Sequence, residues 1–237
     1  MDDSIKILIK KHTRDFLESR LSTIQKIRFE DFEINPYLIA SVKNQLGMKK
    51  QRDLARWLVT QRSERGMVTA FGSTLQKIAK EFSDEPTTSG FTMTLKKRNK
   101  KYNIVVTSGP NPYAKTQAVD LRNRLIASKE TDPNSTPILG MCYGNKDAVS
   151  PIVKSELKNI KYYAGREFWE FISGEKNCRD DIIDILRYTA DNFYDLEKRT
   201  IEKLTNDKID QLEISLKNIF GEDPDEFWEK ILKDLYI

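Results

Sequence analysis

Residues 91–111, FTMTLKKRNKKYNIVVTSGPN, constrain the fold of this chain more than any other stretch. Two runs in which apolar and β-branched residues alternate with polar ones flank the polar tip Arg98, Asn99, Lys100 and Lys101, and a Ser-Gly-Pro-Asn turn follows. That pattern predicts a β-hairpin. Side chains two residues apart share a face of a strand. Thr92, Thr94 and Lys96 are therefore expected on one face of the first strand, and Asn103, Val105 and Thr107 on one face of the second. A two-stranded hairpin is marginal alone, so the rest of the chain has to cover it.

The flanking sequence reads as helices with two more strands. Ile5, Leu8, Ile9, Phe16, Leu17, Leu21 and Ile24 recur at helical spacing and predict a long first helix over 3–28. Asn35-Pro36 interrupts the chain, with Pro36 suited to the first turn of the next helix. Beyond Gly47 a helix has Leu54, Trp57 and Leu58 on its apolar side, and a separate helix is predicted in the second half of 67–82, with Glu81 near its end. After the hairpin come a helix over 113–128, a buried strand in PILGMCYGN, a short helix over 149–159, a strand in IKYYAG and a helix in REFWEFISG. From Arg179 the pattern is helical almost to the end, with a break at Gly221–Pro224. This order predicts an α/β fold in which a small mixed β-sheet is flanked by helices, with α-rich N- and C-terminal parts. As one domain it divides into a basic helical part (1–66), an α/β core (67–175) and an acidic helical part (176–237).

Composition excludes several classes of chemistry. The 237 residues are 38% hydrophobic and 32% charged, as in a soluble globular protein large enough to fold without staples. Cys142 and Cys178 have neither CxxC spacing nor a neighbouring histidine, which argues against a disulfide framework and a zinc site. His12 is the one histidine; it is expected on an exposed, polar helix face, and histidine-based dyads and triads are excluded. No apolar run of about 18 residues is present, and MDDSIKILIKKH is not a signal peptide, so a cytoplasmic protein without a membrane span is expected. The net charge of +4 hides an asymmetry. Residues 1–130 carry 25 Lys or Arg against 14 Asp or Glu, and residues 131–237 carry 15 against 22. Between Lys43 and Arg65, seven basic residues accompany two acidic ones, a composition that suits tracking of phosphates and equally a solvated helix face.

Four stretches in order, GMVTAFGSTLQKIAKEF, VVTSGPN, PILGMCYGN and YYAGREFWEFISG, resemble type II restriction endonucleases of the PD-(D/E)xK superfamily. The similar branch has an active-site strand running into a Lys-Ser-Gly-Pro-Asn turn and a Gly-Arg-Glu-Phe-Trp segment. The resemblance covers about residues 66–175, with the flanking helices alike only in arrangement. It implies a restriction-endonuclease-like core, sequence-specific binding of double-stranded DNA and Mg²⁺-dependent phosphodiester hydrolysis in a restriction–modification system. It also implies a homodimer, since two copies on a two-fold axis cut both strands of a near-palindromic site, and a prokaryotic cytoplasm.

Carried over residue by residue, the resemblance puts the family's aspartate on Thr92, its acidic or polar member on Val105, its lysine on Thr107 and its helix glutamate on Glu81. Glu81 and Thr92 would then be the metal ligands. A threonine hydroxyl is a weaker, neutral ligand and does not replace an ammonium. One account is a nuclease inactivated at these positions that still binds DNA. Another is a site whose charges have migrated to Asp84, Glu85 and Lys115. A one-residue shift of the correspondence brings in Met93 or Ser108 and restores nothing. Phosphate contacts are expected from Arg52, Arg56, Arg62, Arg65, Lys115 and Arg122. The alternative class is a non-enzymatic DNA-binding or protein-interaction module on the same fold, with the acidic C-terminal helices as the protein-binding part.

Overall fold

A computed structural model describes residues 1–87, 90–110, 114–195 and 197–233. Asn111, Tyr113, Leu196 and the last four residues, which the sequence assigns to the turn and to helices, lie outside the described residues. In chain order the helices are α1 (Asp3–Gln25), α2 (Pro36–Val42), α3 (Gln51–Lys80), α4 (Lys115–Thr131), α5 (Pro151–Glu156), α6 (Arg166–Ser173), α7 (Cys178–Asp191), α8 (Ile201–Phe220) and α9 (Pro224–Lys233). The strands are β1 (Met93–Lys97), β2 (Lys100–Thr107), β3 (Ser135–Met141) and β4 (Lys161–Ala164). They form one mixed sheet in the order β1-β2-β3-β4, the α/β arrangement that the sequence predicts. Among the described residues no helix is long and apolar enough to cross a membrane.

The hairpin forms with a tighter tip than its composition suggests. β1 and β2 pair antiparallel from Met93 opposite Ile104 to Lys97 opposite Lys100. Only Arg98 and Asn99 make the turn, with φ of 49° and 60°. Two left-handed residues match the twist of the strands they join, so Lys100 and Lys101 extend the ladder. The register sets Lys96 opposite Lys101 and Lys97 opposite Lys100, like charges that repel across a ladder. Each of three lysines has its own partner: Glu85 pairs with Lys96, Asp132 lies 2.8 Å from Lys101, and the Phe171 carbonyl accepts from Lys97 Nζ at 2.5 Å.

The chain divides into two compact units, Met1–Phe16 with Thr69–Phe193, and Leu17–Val68 with Tyr194–Ile237. These are not consecutive parts of the sequence: Ile9 of α1 is fully buried in the same core as the hairpin, which brings the first sixteen residues into the sheet-bearing unit. In that unit β2 and β3 run parallel, as do β3 and β4. One sheet face carries Met93, Leu95, Ile104, Val106 and Ile138, which pack with Ile78 and Phe82 at the end of α3, Phe168 and Trp169 of α6, and Ile182 of α7. The other face carries Val105, Leu139 and Met141, covered by Leu121 and Leu125 of α4 and Val153 of α5. Both cysteines are free and buried, and burial pushes the Cys142 thiol up.

In the second unit, Leu54, Leu58 and Val59 of α3 and Ile39 of α2 pack with Ile209, Leu212 and Leu216 of α8 and with Phe227, Trp228 and Ile231 of α9. The Asn35 side chain accepts from the Leu38 N–H at 3.1 Å, capping the helix that Pro36 opens. Gln51 Nε2 donates to the Gly221 and Glu222 carbonyls at 2.9 and 3.0 Å and so holds the break between α8 and α9.

The helical pattern departs from the sequence reading in two places. The two helices predicted either side of Gly66 are one helix, α3. Gly66 does not break it; the absent side chain makes room for Arg20, whose Nη1 would lie 2.6 Å from an added Cβ. Conversely, the C-terminal helical run is interrupted after α7. Asp195 accepts the Arg199 N–H at 2.6 Å and Arg199 Nε at 2.8 Å, which stabilises a non-helical connection before Thr200 caps α8. Of the acidic C-terminal helices, α7 covers the sheet, while α8 and α9 bury their apolar faces in the second unit.

One polar ladder crosses the sheet inside its α4-facing layer. Thr94 Oγ1 donates to Asn103 Oδ1 at 3.2 Å, Asn103 Nδ2 donates to Ser135 Oγ at 3.1 Å, and Ser135 Oγ donates to the Asp132 carbonyl at 2.8 Å. All three side chains are buried. Asn103→Ala removes the acceptor of one buried hydroxyl and a donor to another, and each unsatisfied group costs about 1–3 kcal/mol. We expect a loss of about that size or more in denaturant unfolding; a change under about 0.5 kcal/mol would show that the ladder is not a stabilising network.

Candidate functional site

Three short segments meet where β2, β3 and β4 end, and glycines let them do so. The Tyr143 and Cys142 N–H groups donate to the Ser108 and Thr107 carbonyls, both at 3.0 Å, continuing the β2–β3 pairing past the strand ends. Tyr143 packs so closely on Gly109 that an added Cβ would overlap its ring. A Cβ at Gly144 would lie 2.7 Å from the Pro110 ring, and one at Gly165 would overlap the Gly144 carbonyl oxygen. Gly165 also holds φ at +55°, a backbone state costly for other residues. Trp169 Nε1 ties α6 to the same crest through the Cys142 carbonyl at 2.7 Å. Ser-Gly-Pro, Tyr-Gly-Asn and Gly-Arg-Glu-Phe-Trp are thus one structure.

Thr92, Val105 and Thr107 lie beside this crest, and each has a structural task. The Thr92 N–H donates to the Ile104 carbonyl at 2.9 Å, and Thr92 Oγ1 accepts the Val106 N–H at 3.0 Å, so the residue ties the chain entering β1 to β2 just beyond the last ladder pair. Val105 is buried against α4. The Thr107 hydroxyl donates to the Gly109 carbonyl at 3.1 Å, with the Gly140 carbonyl at 3.4 Å. Thr94 and Asn103, opposite each other in the register, are joined by a direct hydrogen bond.

Glu81 follows α3 immediately, and its carboxylate is engaged by a residue that the sequence reading set aside. His12 Nε2 of α1 lies 2.6 Å from Glu81 Oε1, with the side chains 17% and 28% exposed. His12 is therefore half-buried and paired rather than exposed on a polar face. The partners are 69 positions apart, which leaves no local sequence signal for the contact; only the packing of α1 beside the end of α3 creates it.

The acidic loop lies along the edge of β1. Asp84 Oδ2 accepts the Lys96 N–H at 2.7 Å, and Ser83 Oγ accepts the Thr94 N–H at 3.0 Å. Lys96 holds the Glu85 carboxyl below its usual range. Both acids are thus tied to the tip half of β1, whereas Thr107 ends β2 at the other end of the hairpin. Lys115 is exposed at the start of α4.

Arg52 and Arg122 are held by carboxylates. Arg52 Nη1 lies 2.9 Å from Glu213 and 2.6 Å from Asp210, within the second unit. These two carboxylates raise the Arg52 pKa. Arg122 Nη1 lies 2.6 Å from Glu156 Oε2 in a cleft of about 740 Å³ bounded by α4, α5 and the first residues of β3 and β4. That cleft is at the opposite end of β3 from the crest. Arg56, Arg62 and Arg65 are exposed along α3.

Mg²⁺ requires hard oxygen ligands, with one or two carboxylates at its centre. The hairpin offers two neutral hydroxyls already in hydrogen bonds, Val105 adds no side-chain donor, and the remaining carboxylate is joined to a histidine. Among the described residues no group of three or more His, Cys, Asp or Glu is gathered for a metal ion. This donor set does not fit Mg²⁺.

A family profile described as type II restriction endonuclease EcoO109I matches residues 3–194. A search of curated proteins finds no match. The matched stretch spans most of the 237-residue chain and includes the whole sheet, the crest and the His12–Glu81 pair. The chain belongs to the type II restriction endonuclease EcoO109I family.

Proposed function

We propose that this chain is a duplex DNA-binding protein of its family, working as a homodimer, in which Mg²⁺-dependent phosphodiester hydrolysis is impaired by Thr92 and Thr107. The observation that carries this reading is the hairpin: within an endonuclease family's fold, neutral side chains with structural tasks stand where the resemblance puts an aspartate and a lysine. Replacing an ammonium by a hydroxyl removes both a charge and a donor from the nucleophile's side of the reaction, and replacing a carboxylate removes the strongest metal ligand. Binding a polyanion needs neither. The two compact units act as one protein in this reading, and a prokaryotic cytoplasm is its setting.

Exposed arginines support the DNA part. Arg56, Arg62 and Arg65, with Lys115, have their charges at the surface, where neutralised phosphates release counterions and give salt-dependent affinity. Arg52 and Arg122 have carboxylate partners in the fold and are assigned to stability first. Gel-shift titration should therefore show duplex binding that falls by orders of magnitude between about 50 and 200 mM salt. Changing Arg56, Arg62 and Arg65 to Ala together should weaken binding across sequences and lower the salt slope by about three, about one per phosphate contact. Arg52→Ala should leave the slope alone and lower the melting temperature. Absence of duplex binding at about 50 mM salt would refute the reading.

The homodimer has a separate test. Two copies on a two-fold axis present the same surface to each half of a near-palindromic site. Sedimentation at micromolar concentration should give twice the chain mass, and a monomer both with and without DNA would remove the dimer from the proposal.

A further inference from the structure

We propose that the hairpin centre is a metal-free centre: the fold itself consumes the oxygen donors that a divalent cation would need, and the chain engages duplex DNA with no ion bound there. The DNA half rests on the function proposed above; the metal half stands on the site alone.

Thr92 Oγ1 has one lone pair taken by the Val106 N–H, a bond that closes the open end of the hairpin. Moving that oxygen toward an ion strands a backbone donor in a half-buried place, which costs about 1–3 kcal/mol. Val105 offers no donor and is 7% exposed in an apolar cluster with Leu121, Leu125 and Leu139, so a carboxylate in its place would lose hydration without a partner. The Thr107 hydroxyl directs its proton at the Gly109 carbonyl, which ties the strand end to the crest. Its neutral oxygen adds no charge to hold a cation.

The one carboxylate that the resemblance leaves in place is removed from the centre by His12. Glu81 Oε1 and His12 Nε2 are 2.6 Å apart and mostly screened from solvent. Asp84 and Glu85 do not replace it, because the Lys96 N–H and the Lys96 ammonium hold them along the tip half of β1. A hexahydrated cation loses little by staying in water when the site offers no free carboxylate. His12 is in this account a positioning residue, keeping Glu81 within the fold.

The test titrates Mn²⁺ into the full chain and follows the free ion by electron paramagnetic resonance. The expected result is a free-ion signal equal to that of buffer, with no affinity tighter than about 1 mM. An ion bound more tightly than that and lost in Glu81→Gln would overturn the proposal. A second measurement compares gel-shift affinity in EDTA and in Mg²⁺ at matched ionic strength. Equal affinity within about twofold supports the metal-free centre, and loss of binding on chelation overturns it. If Mn²⁺ stays free while no duplex is bound in either buffer, the DNA reading fails and the metal-free centre stands. As a check that the readout can detect a site, Thr92→Asp and Thr92→Asp with His12→Gln are titrated alongside. The double variant should bind Mn²⁺ more tightly than the single one, because it frees Glu81 as a second carboxylate; equal binding would refute the positioning role of His12.

Discussion

The backbone of β2 is flanked by hydrophobic cores on both sides of the sheet, and that constraint governs what every residue near it can do. Ile104 and Val106 enter one core, Val105 enters the other, and Asn103 is affordable between them only because Thr94 and Ser135 satisfy its amide. A charged side chain at Val105 would have to be paired or reach water, and the present neighbours offer neither. The same alternation carries Thr107 to the strand end, where its hydroxyl serves the turn. A site for chemistry on this strand must be made from residues that would otherwise stabilise the sheet, and here those residues stabilise the sheet.

The crest gives the short motifs that carry the resemblance a second meaning. Gly109, Gly144 and Gly165 are the points at which three chain segments come within contact distance, and a side chain on any of them would collide with a neighbour. The Ser-Gly-Pro, Tyr-Gly-Asn and Gly-Arg-Glu-Phe-Trp segments therefore report how the ends of β2, β3 and β4 are packed. They do not report whether a nucleophile is activated beside them. On the function proposed here, the chain keeps all three segments while hydroxyls stand where the resemblance puts ionised groups.

Much of the fold was legible in the sequence because local rules decide it. Alternation in 91–107 fixed the hairpin and its faces, Asn35-Pro36 marked the start of α2, and the short apolar run in PILGMCYGN identified β3. The failures came where tertiary contacts outweigh local preference. Two helices are expected on either side of Gly66 until Arg20 is seen packing across it, and the non-helical stretch before α8 is held by the bonds between Asp195 and Arg199. Lys101 reads as a tip residue because its counter-charge, Asp132, is remote in sequence. Of the candidate site, Thr92, Val105 and Thr107 could be located from the strand pattern and the resemblance. The His12–Glu81 pair could not, since a single histidine on an amphipathic helix carries no mark of a partner on another helix.

The central claim is that this centre belongs to a nuclease family by fold and holds no working nuclease chemistry. Incubating supercoiled plasmid with the purified chain, first with Mg²⁺ and then with Mn²⁺, tests it most directly. The account predicts that the plasmid remains supercoiled under conditions in which the same preparation binds duplex DNA. Discrete linear fragments that appear with the metal and vanish on chelation would contradict it.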